Sequence, residues 1–308
     1  MNQRFLESRD ARGLRILSEY VEPLCRFRRL RVNDTIVFMG SARLLSREAA
    51  TAAIAKAERS RKGLTAARTA LELSVYYEAA RELAHRLTDW SKKLENEEHR
   101  FVVCTGGGPG IMEAANRGAS EANGMNVGLT ISIPNEEFDN PYVSRELDFH
   151  FHYFFMRKFW FVYLAKAVVL FPGGFGTLDE LFEILTLIQT RKMRKRMPVV
   201  LFGTEFWNEV INFDALARYG TISEEDLQRF HRTDSVDEAH KIITQSDRQR
   251  VSDPGGDTLA WCERDVTRTR PDLILCQSSR TQPMPKLWLR ADRSAAIGSI
   301  LDPVASPG

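Results

Sequence analysis

Four short apolar runs without polar alternation stand along this chain, at Ile36 to Met39, Phe101 to Cys104, Ala167 to Phe171 and Pro198 to Phe202. Runs of that length suit strands covered on both faces. Asn126 to Ile133 reads as a further strand, and the alternation of Leu147 to His152 predicts a short one. Between them the period changes to that of helices. Ser46 to about Leu94 carries Leu71, Val75, Ala79 and Leu83 at helical spacing and predicts one or two helices broken near Gly63. Further helices are expected over Ile111 to about Ala122, Tyr153 to Lys166, Leu178 to Gln189 and Glu205 to Tyr219. Asn123-Gly124 and Gly220 are their stops, and Ser223 before Glu224-Glu225-Asp226 caps a shorter one. Strands and helices alternating in this way predict an α/β fold with a parallel sheet and helices on both faces, whose ligands collect at the carboxyl ends of the strands. Residues 1–31 form a helical extension and 32–245 the sheet domain. Residues 246–308 hold six of the twelve prolines and no sustained period, so an irregular tail is expected there.

The turns after two of these strands carry the chemistry. Pro172-Gly173-Gly174-Phe175-Gly176-Thr177-Leu178-Asp179-Glu180 joins an apolar strand to a helix through a segment with almost no side chains. Its three glycines permit positive φ and close approach of a ligand, and the helix start leaves N–H groups unpaired, so the site suits a phosphate. A plain strand-to-helix turn usually needs one glycine rather than three followed by a threonine. Gly106-Gly107-Gly108-Pro109-Gly110 makes a second such turn. Neither is a known cofactor motif: the second lacks the sixth-position glycine of the dinucleotide fingerprint, and no Lys-Ser or Lys-Thr step follows the first. A nucleoside monophosphate fits better than a triphosphate or a dinucleotide.

Composition narrows the field further. A formal net charge of +2 on 308 residues gives no electrostatic case for nucleic acid. The longest apolar stretch, Phe159 to Phe171, is too short to span a bilayer and contains Lys166. No leader peptide is expected, because residues 1–31 lack an apolar core segment. The four cysteines form no CxxC pair, which points to a cytoplasmic setting. His150 and His152 share a strand face with no third ligand nearby, so no metal is expected. The basic run Arg191 to Arg196 is expected to stay solvated beside a helix C-terminus, and the aromatic segment Phe149 to Tyr163 to serve as core and subunit contact.

Glu180 lies within reach of a sugar whose phosphate sits on the glycine turn; the plain alternative is a first-turn acid favoured by the helix dipole. Asp179 beside it reads as a solvated neighbour. Thr177 reads as a hydroxyl donor to phosphate or an ordinary N-cap. Arg157 is a planar fork of donors or a charge that wets one helix face.

The pieces Gly40-Ser41, Gly106 to Met112, Met156-Arg157-Lys158 and PGGFGTLDE, in this order, resemble the nucleoside 5'-monophosphate phosphoribohydrolases called LOG, or Lonely Guy, once labelled lysine decarboxylases. The resemblance covers roughly residues 30 to 245. It implies a Rossmann-like, doubly wound fold, at least dimeric, that hydrolyses the N-glycosidic bond of AMP or of a cytokinin riboside monophosphate without a cofactor. It marks Arg157 and Glu180 as catalytic. It assigns Gly173, Gly174, Gly176, Thr177, Gly107, Gly108 and Ser41 to the phosphate and Lys158, Met112 and Thr186 to the rest of the substrate. Phe138, Asn140 and Tyr142 are candidates for shaping the base pocket. The long inserted helices and the tail resemble a longer bacterial branch of the family. The rival readings are a nucleotide-sensing module that turns nothing over and, through Lys158 or Lys166, a pyridoxal phosphate decarboxylase.

Overall fold

The computed structural model describes residues 3–94, 99–131, 139–193, 195 and 197–252, with side chains described as far as residue 247. Helices α1 (Gln3–Glu7) and α2 (Arg12–Arg29) precede strand β1 (Thr35–Met39). Then follow α3 (Arg47–Ser60), α4 (Leu64–Lys92), β2 (Val102–Thr105), α5 (Ile111–Glu121), β3 (Asn126–Ile131) and β4 (Asp148–Phe151). The second half holds α6 (Phe154–Tyr163), β5 (Ala165–Leu170), α7 (Phe175–Gln189), β6 (Val199–Phe202), α8 (Thr204–Val210), α9 (Phe213–Arg218), β7 (His231–Thr233) and α10 (Val236–Ser252). The strands form one parallel sheet in the order β4-β3-β2-β1-β5-β6-β7.

Helices cover both faces of this sheet, as expected of a doubly wound, Rossmann-like fold. Alternate residues of each strand serve opposite cores, which is why the strands read as unbroken apolar runs. Val37, Met39, Leu129, Val168, Leu170 and Leu201 pack with residues of α2, α6 and α7 on one side. Ile36, Phe38, Val103, Val169 and Phe202 pack with α4 and α5 on the other. Each such buried side chain contributes about 1.5–3 kcal/mol.

The aromatics of α6 belong mainly to the first core. Trp160 is buried against Phe27 of α2, and its indole N–H donates to the Glu19 carbonyl at 2.9 Å. The N-terminal extension is thereby docked on the helix that carries Arg157.

Several boundaries differ from expectation for local reasons. Gly63 breaks the long helical stretch as foreseen, with φ of 73° at the head of α4. Lys166 lies in β5 rather than in the preceding helix, because Thr35 N–H already bonds to the Leu164 carbonyl and Thr35 pairs with Ala165. The expected 205–219 helix is two, because Ile211 is extended and the Asn212 side chain accepts from Ala215 N–H at 2.9 Å to start α9. α7 starts at Phe175 rather than Leu178, so Thr177 is its third residue and not its N-cap, and Glu180 lies one turn in rather than in the first turn. β7 is short and polar and left no apolar run to read. α10 continues to Ser252, seven residues past residue 245, and Asp247 on it pairs with Arg100 at 3.1 Å. The remainder of the tail, from residue 253, lies outside the described residues.

The basic run is a correction too. Lys195 is buried, and its ammonium donates to the Val162 carbonyl at 2.5 Å and the Tyr163 carbonyl at 3.2 Å. It caps the C-terminus of α6, a different helix from the one it follows, where the helix dipole favours a cation. Arg194 and Arg196 lie outside the described residues.

α4 and α5 touch through backbone at Gly118, where an added Cβ would stand 2.0 Å from the Arg81 carbonyl oxygen. Gly118→Ala should therefore cost about 3 kcal/mol, since neither helix can give way without disturbing a core. Gly13, in α2, has no atom within 4 Å of the same position. Gly13→Ala should stabilise by about 0.5–1 kcal/mol; urea denaturation of both variants checks the pair.

Candidate functional site

β1 through β4 step toward one edge of the sheet, and the chain then returns to place β5 on the other side of β1. The switch therefore lies between β1 and β5, where the connections leave a crevice beyond the carboxyl ends. Ser41 joins the loops there. Its N–H donates to the Pro172 carbonyl at 2.9 Å, and its own carbonyl accepts from Ile111 N–H at 3.1 Å. Gly110 holds φ of 69° so close to this joint that a Cβ would stand 2.3 Å from the Ser41 carbonyl oxygen.

The two glycine loops, taken in chain order as Gly106 to Gly110 and Gly173 to Gly176, turn out to differ. The first is filled from within: a Cβ on Gly107 would stand 2.4 Å from the Thr130 methyl, and Cβ atoms on Gly106 and Gly108 would stand 2.8 and 2.7 Å from the Met112 thioether. Met112 thus lies across its own loop. In the second loop, Gly174 and Gly176 have nothing within 4 Å of a Cβ position. None of Gly173, Gly174 and Gly176 takes positive φ, so that part of the expectation fails. Here glycine keeps the approach clear. Gly173 leaves room for Thr177, whose hydroxyl would stand 2.1 Å from a Cβ there. The first helical bond of α7 runs from Leu178 N–H to the Gly174 carbonyl, which leaves the amides of Phe175, Gly176 and Thr177 ahead of it. Phe175 between these glycines is 93% exposed.

Glu180, one turn into α7, is 6% exposed and faces Arg157 of α6 across 4.0 Å. Arg157 is flanked by the rings of Phe154 and Phe161, 5.2 and 5.5 Å from its guanidinium carbon. Among the described residues, Arg157 Nε and Glu180 Oε2 are buried without a hydrogen-bond partner. Orphaned atoms of two charged groups are costly, and a site that keeps them calls for an explanation outside folding. Burial pushes the Glu180 carboxyl up to about 7, opposed by Lys158 and Arg157 and reinforced by Glu183 and Asp179. Burial also pulls the Arg157 guanidinium below its ordinary value, against the attraction of Glu180 and Asp179.

Lys158 hydrogen-bonds Asp179 at 2.8 Å and forms an ion pair with Glu183 at 2.7 Å. Asp179 keeps 62% of its side chain exposed, as expected of a solvated neighbour, and is also an ion-pair partner. Burial alone would lower the Lys158 ammonium, but the bonds to Asp179 and Glu183 raise it above its ordinary value. An imine-forming lysine requires the opposite shift.

Other expected residues fall elsewhere. Thr186 donates its hydroxyl to the Phe182 carbonyl at 2.6 Å and lines a cavity with Leu185, Phe213 and Phe230 whose walls include neither Arg157 nor Glu180. Asn140 is buried and donates to Asn116 Oδ1 at 3.1 Å, in a network with Thr105 and Asn126. Tyr142 lies under the Arg117 guanidinium, and Phe138 is outside the described residues. His150 contacts Asp148 at 3.2 Å and Thr130 at 2.8 Å, and no cluster of three metal-ligating side chains occurs among the described residues. No helix among them is long and apolar enough to cross a membrane. Sequence reasoning missed Glu183 and Asn116. Glu183 had a signal, being an acid three residues after Glu180 on the same helix; Asn116, a single amide within a helical run, had none.

A family model described as possible lysine decarboxylase matches residues 112–243. The chain is 28% identical over 210 residues to the pyrimidine/purine nucleotide 5'-monophosphate nucleosidases of Escherichia coli strains K12 and O157:H7, a match covering 63% of this chain. It spans 45% of the length of those relatives. Among solved structures, the Moco carrier protein from Chlamydomonas reinhardtii is 19% identical with a TM-score of 0.42, covering 70% of this chain and 99% of that one. The molybdenum cofactor binding protein from Rippkaea orientalis is 18% identical, also at 0.42, covering 69% and 96%. The matched segment 112–243 holds the Arg157-Lys158 step and the PGGFGTLDE turn, and through it the chain is similar to the family described as possible lysine decarboxylase, as it is to the pyrimidine/purine nucleotide 5'-monophosphate nucleosidases.

Proposed function

We propose that this protein hydrolyses the N-glycosidic bond of a purine nucleoside 5'-monophosphate, AMP or a cytokinin riboside monophosphate, to the free base and ribose 5-phosphate. The observation that carries the reading is the buried, incompletely satisfied Arg157–Glu180 pair, with Glu180 on the helix whose first amides are those of Phe175, Gly176 and Thr177. The phosphate docks on those amides at the N-terminus of α7, where the helix dipole favours an anion. The ribose then lies toward Glu180. The C1'–N bond breaks with its electron pair leaving on the base. A water oxygen takes its place at C1', and one water proton ends on the base. Positive charge builds on the sugar during this exchange, and the ionised Glu180 carboxylate stabilises it. Arg157 offers charge-assisted donors to the substrate beside the reacting sugar. Gly107, Gly108 and Met112 act as the packed wall behind the phosphate loop and Ser41 as its hinge pin. No cofactor enters this scheme.

A homo-oligomer belongs to the same proposal, supported by the exposed apolar side chains Leu14 and Leu17 on α2 and Phe155 on α6. So does a cytoplasmic setting, supported by the buried, unbridged thiol of Cys104.

Purified protein should release adenine from AMP, with kcat/KM rising as pH passes about 7 and Glu180 ionises. Glu180→Gln should lower kcat by about 10²–10⁴-fold. Arg157→Lys should not restore what Arg157→Ala loses, because an ammonium lacks the planar fork. A parallel assay with CMP and UMP defines the base preference. Tight AMP binding by calorimetry without base release would instead support a sensing module.

Stability gives an independent check. The folded state favours protonated Glu180, so the stability tied to that preference is complete below the ordinary value of 4.5 and is lost as pH rises through about 7. Glutamine has no charge to bury. Glu180→Gln should thus be more stable than wild type at pH 8.5, by on the order of 3 kcal/mol, and nearly equal at pH 4. Urea denaturation at the two pH values measures the difference.

A further inference from the structure

Glu180 has an acidic neighbour on each side along α7: Asp179 immediately before it and Glu183 one turn later. Three carboxylates in so short a stretch repel one another, and the attraction of the helix N-terminus fades within the first turn. The compensating charge comes from α6. Lys158 is 17% exposed at its side chain, and its ammonium meets Asp179 Oδ2 at 2.8 Å and Glu183 Oε2 at 2.7 Å. The contact with Asp179 is a hydrogen bond and that with Glu183 is an ion pair of unlike charges at close range. The residue before it, Arg157, faces Glu180 itself. Consecutive residues of one helix thus meet the acids of the other, Arg157 facing the central one and Lys158 pairing with the two that flank it while its charge also acts on Glu180.

On the reading that Glu180 is the reacting group, we propose that Lys158 is a positioning residue that bridges Asp179 and Glu183, fixing the turn of α7 that bears Glu180 and neutralising its neighbours. This differs from the substrate contact that the family resemblance implies for Lys158. The charged groups facing Glu180 are Arg157 and Lys158 from α6 and Asp179 and Glu183 from its own helix. Removing the ammonium would leave two uncompensated negative charges beside Glu180 and favour its protonated form; removing the two flanking acids would do the reverse.

The test titrates Glu180 in the full chain by carbon NMR of glutamate carboxyl groups, with Glu180→Gln identifying the resonance. Lys158→Met should raise the Glu180 midpoint by about one pH unit or more. The double variant Asp179→Asn, Glu183→Gln should lower it, and this arm stands even if Lys158→Met fails to fold. Lys158→Arg, which keeps the cation, should leave the midpoint near that of wild type. In turnover of AMP, Lys158→Met should lower kcat while KM changes by less than about twofold. An unmoved midpoint in both the Lys158→Met and the double variant would overturn the proposal. So would a large rise in KM at unchanged kcat, the mark of a direct substrate contact. Absence of base release by the wild-type chain would sink the nucleosidase reading alone, because the titration needs no turnover.

Discussion

The geometry at the crevice depends on one backbone joint. Ser41 donates to the Pro172 carbonyl and accepts from Ile111 N–H, and so binds the end of β1 to the loop after β5 and to the head of α5. These are main-chain bonds, so their demand on the sequence falls on the neighbours. Gly110 is required because its Cβ would collide with the Ser41 carbonyl, and Gly40 because its Cβ would stand 2.8 Å from Ile111. A joint of this kind sets the separation of the loops without offering a side chain to a ligand. It lets the first glycine loop be packed solid while the second stays open.

The seam between α6 and α7 adds the charge. Arg157 and Lys158 are held on a helix that is buried through Trp160, capped by Lys195 and covered by α2. A rigid support is needed, because an arginine and a glutamate left partly unsatisfied would otherwise turn outward to water. The raised Glu180 carboxyl is the energetic mark of that confinement. Strain of this kind is tolerated because the two cores on either side of the sheet stabilise the fold independently of the site.

The amino-acid sequence by itself determined the layered architecture, because strands buried on both faces must be apolar at every position and helices must repeat near 3.6 residues. It also singled out Glu180, since a glycine-rich turn before a helix is rare enough to mark its neighbours, whereas Arg157 stood out only through the family resemblance. The short polar strand β7, the break at Ile211-Asn212 and the early start of α7 were hidden, because each is decided by one or two hydrogen bonds rather than by a periodic pattern. The roles of the glycines were hidden for another reason. Composition makes Gly107 and Gly174 look alike, yet one is filled by Thr130 and the other opens to solvent. Likewise Lys158 and Lys195 are two lysines until the fold sets one between two carboxylates and the other beneath two carbonyls. Periodicity is written into neighbouring residues and can be read from them; a contact between distant segments exists only once the sheet has brought their loops together, and that step belongs to the tertiary structure alone.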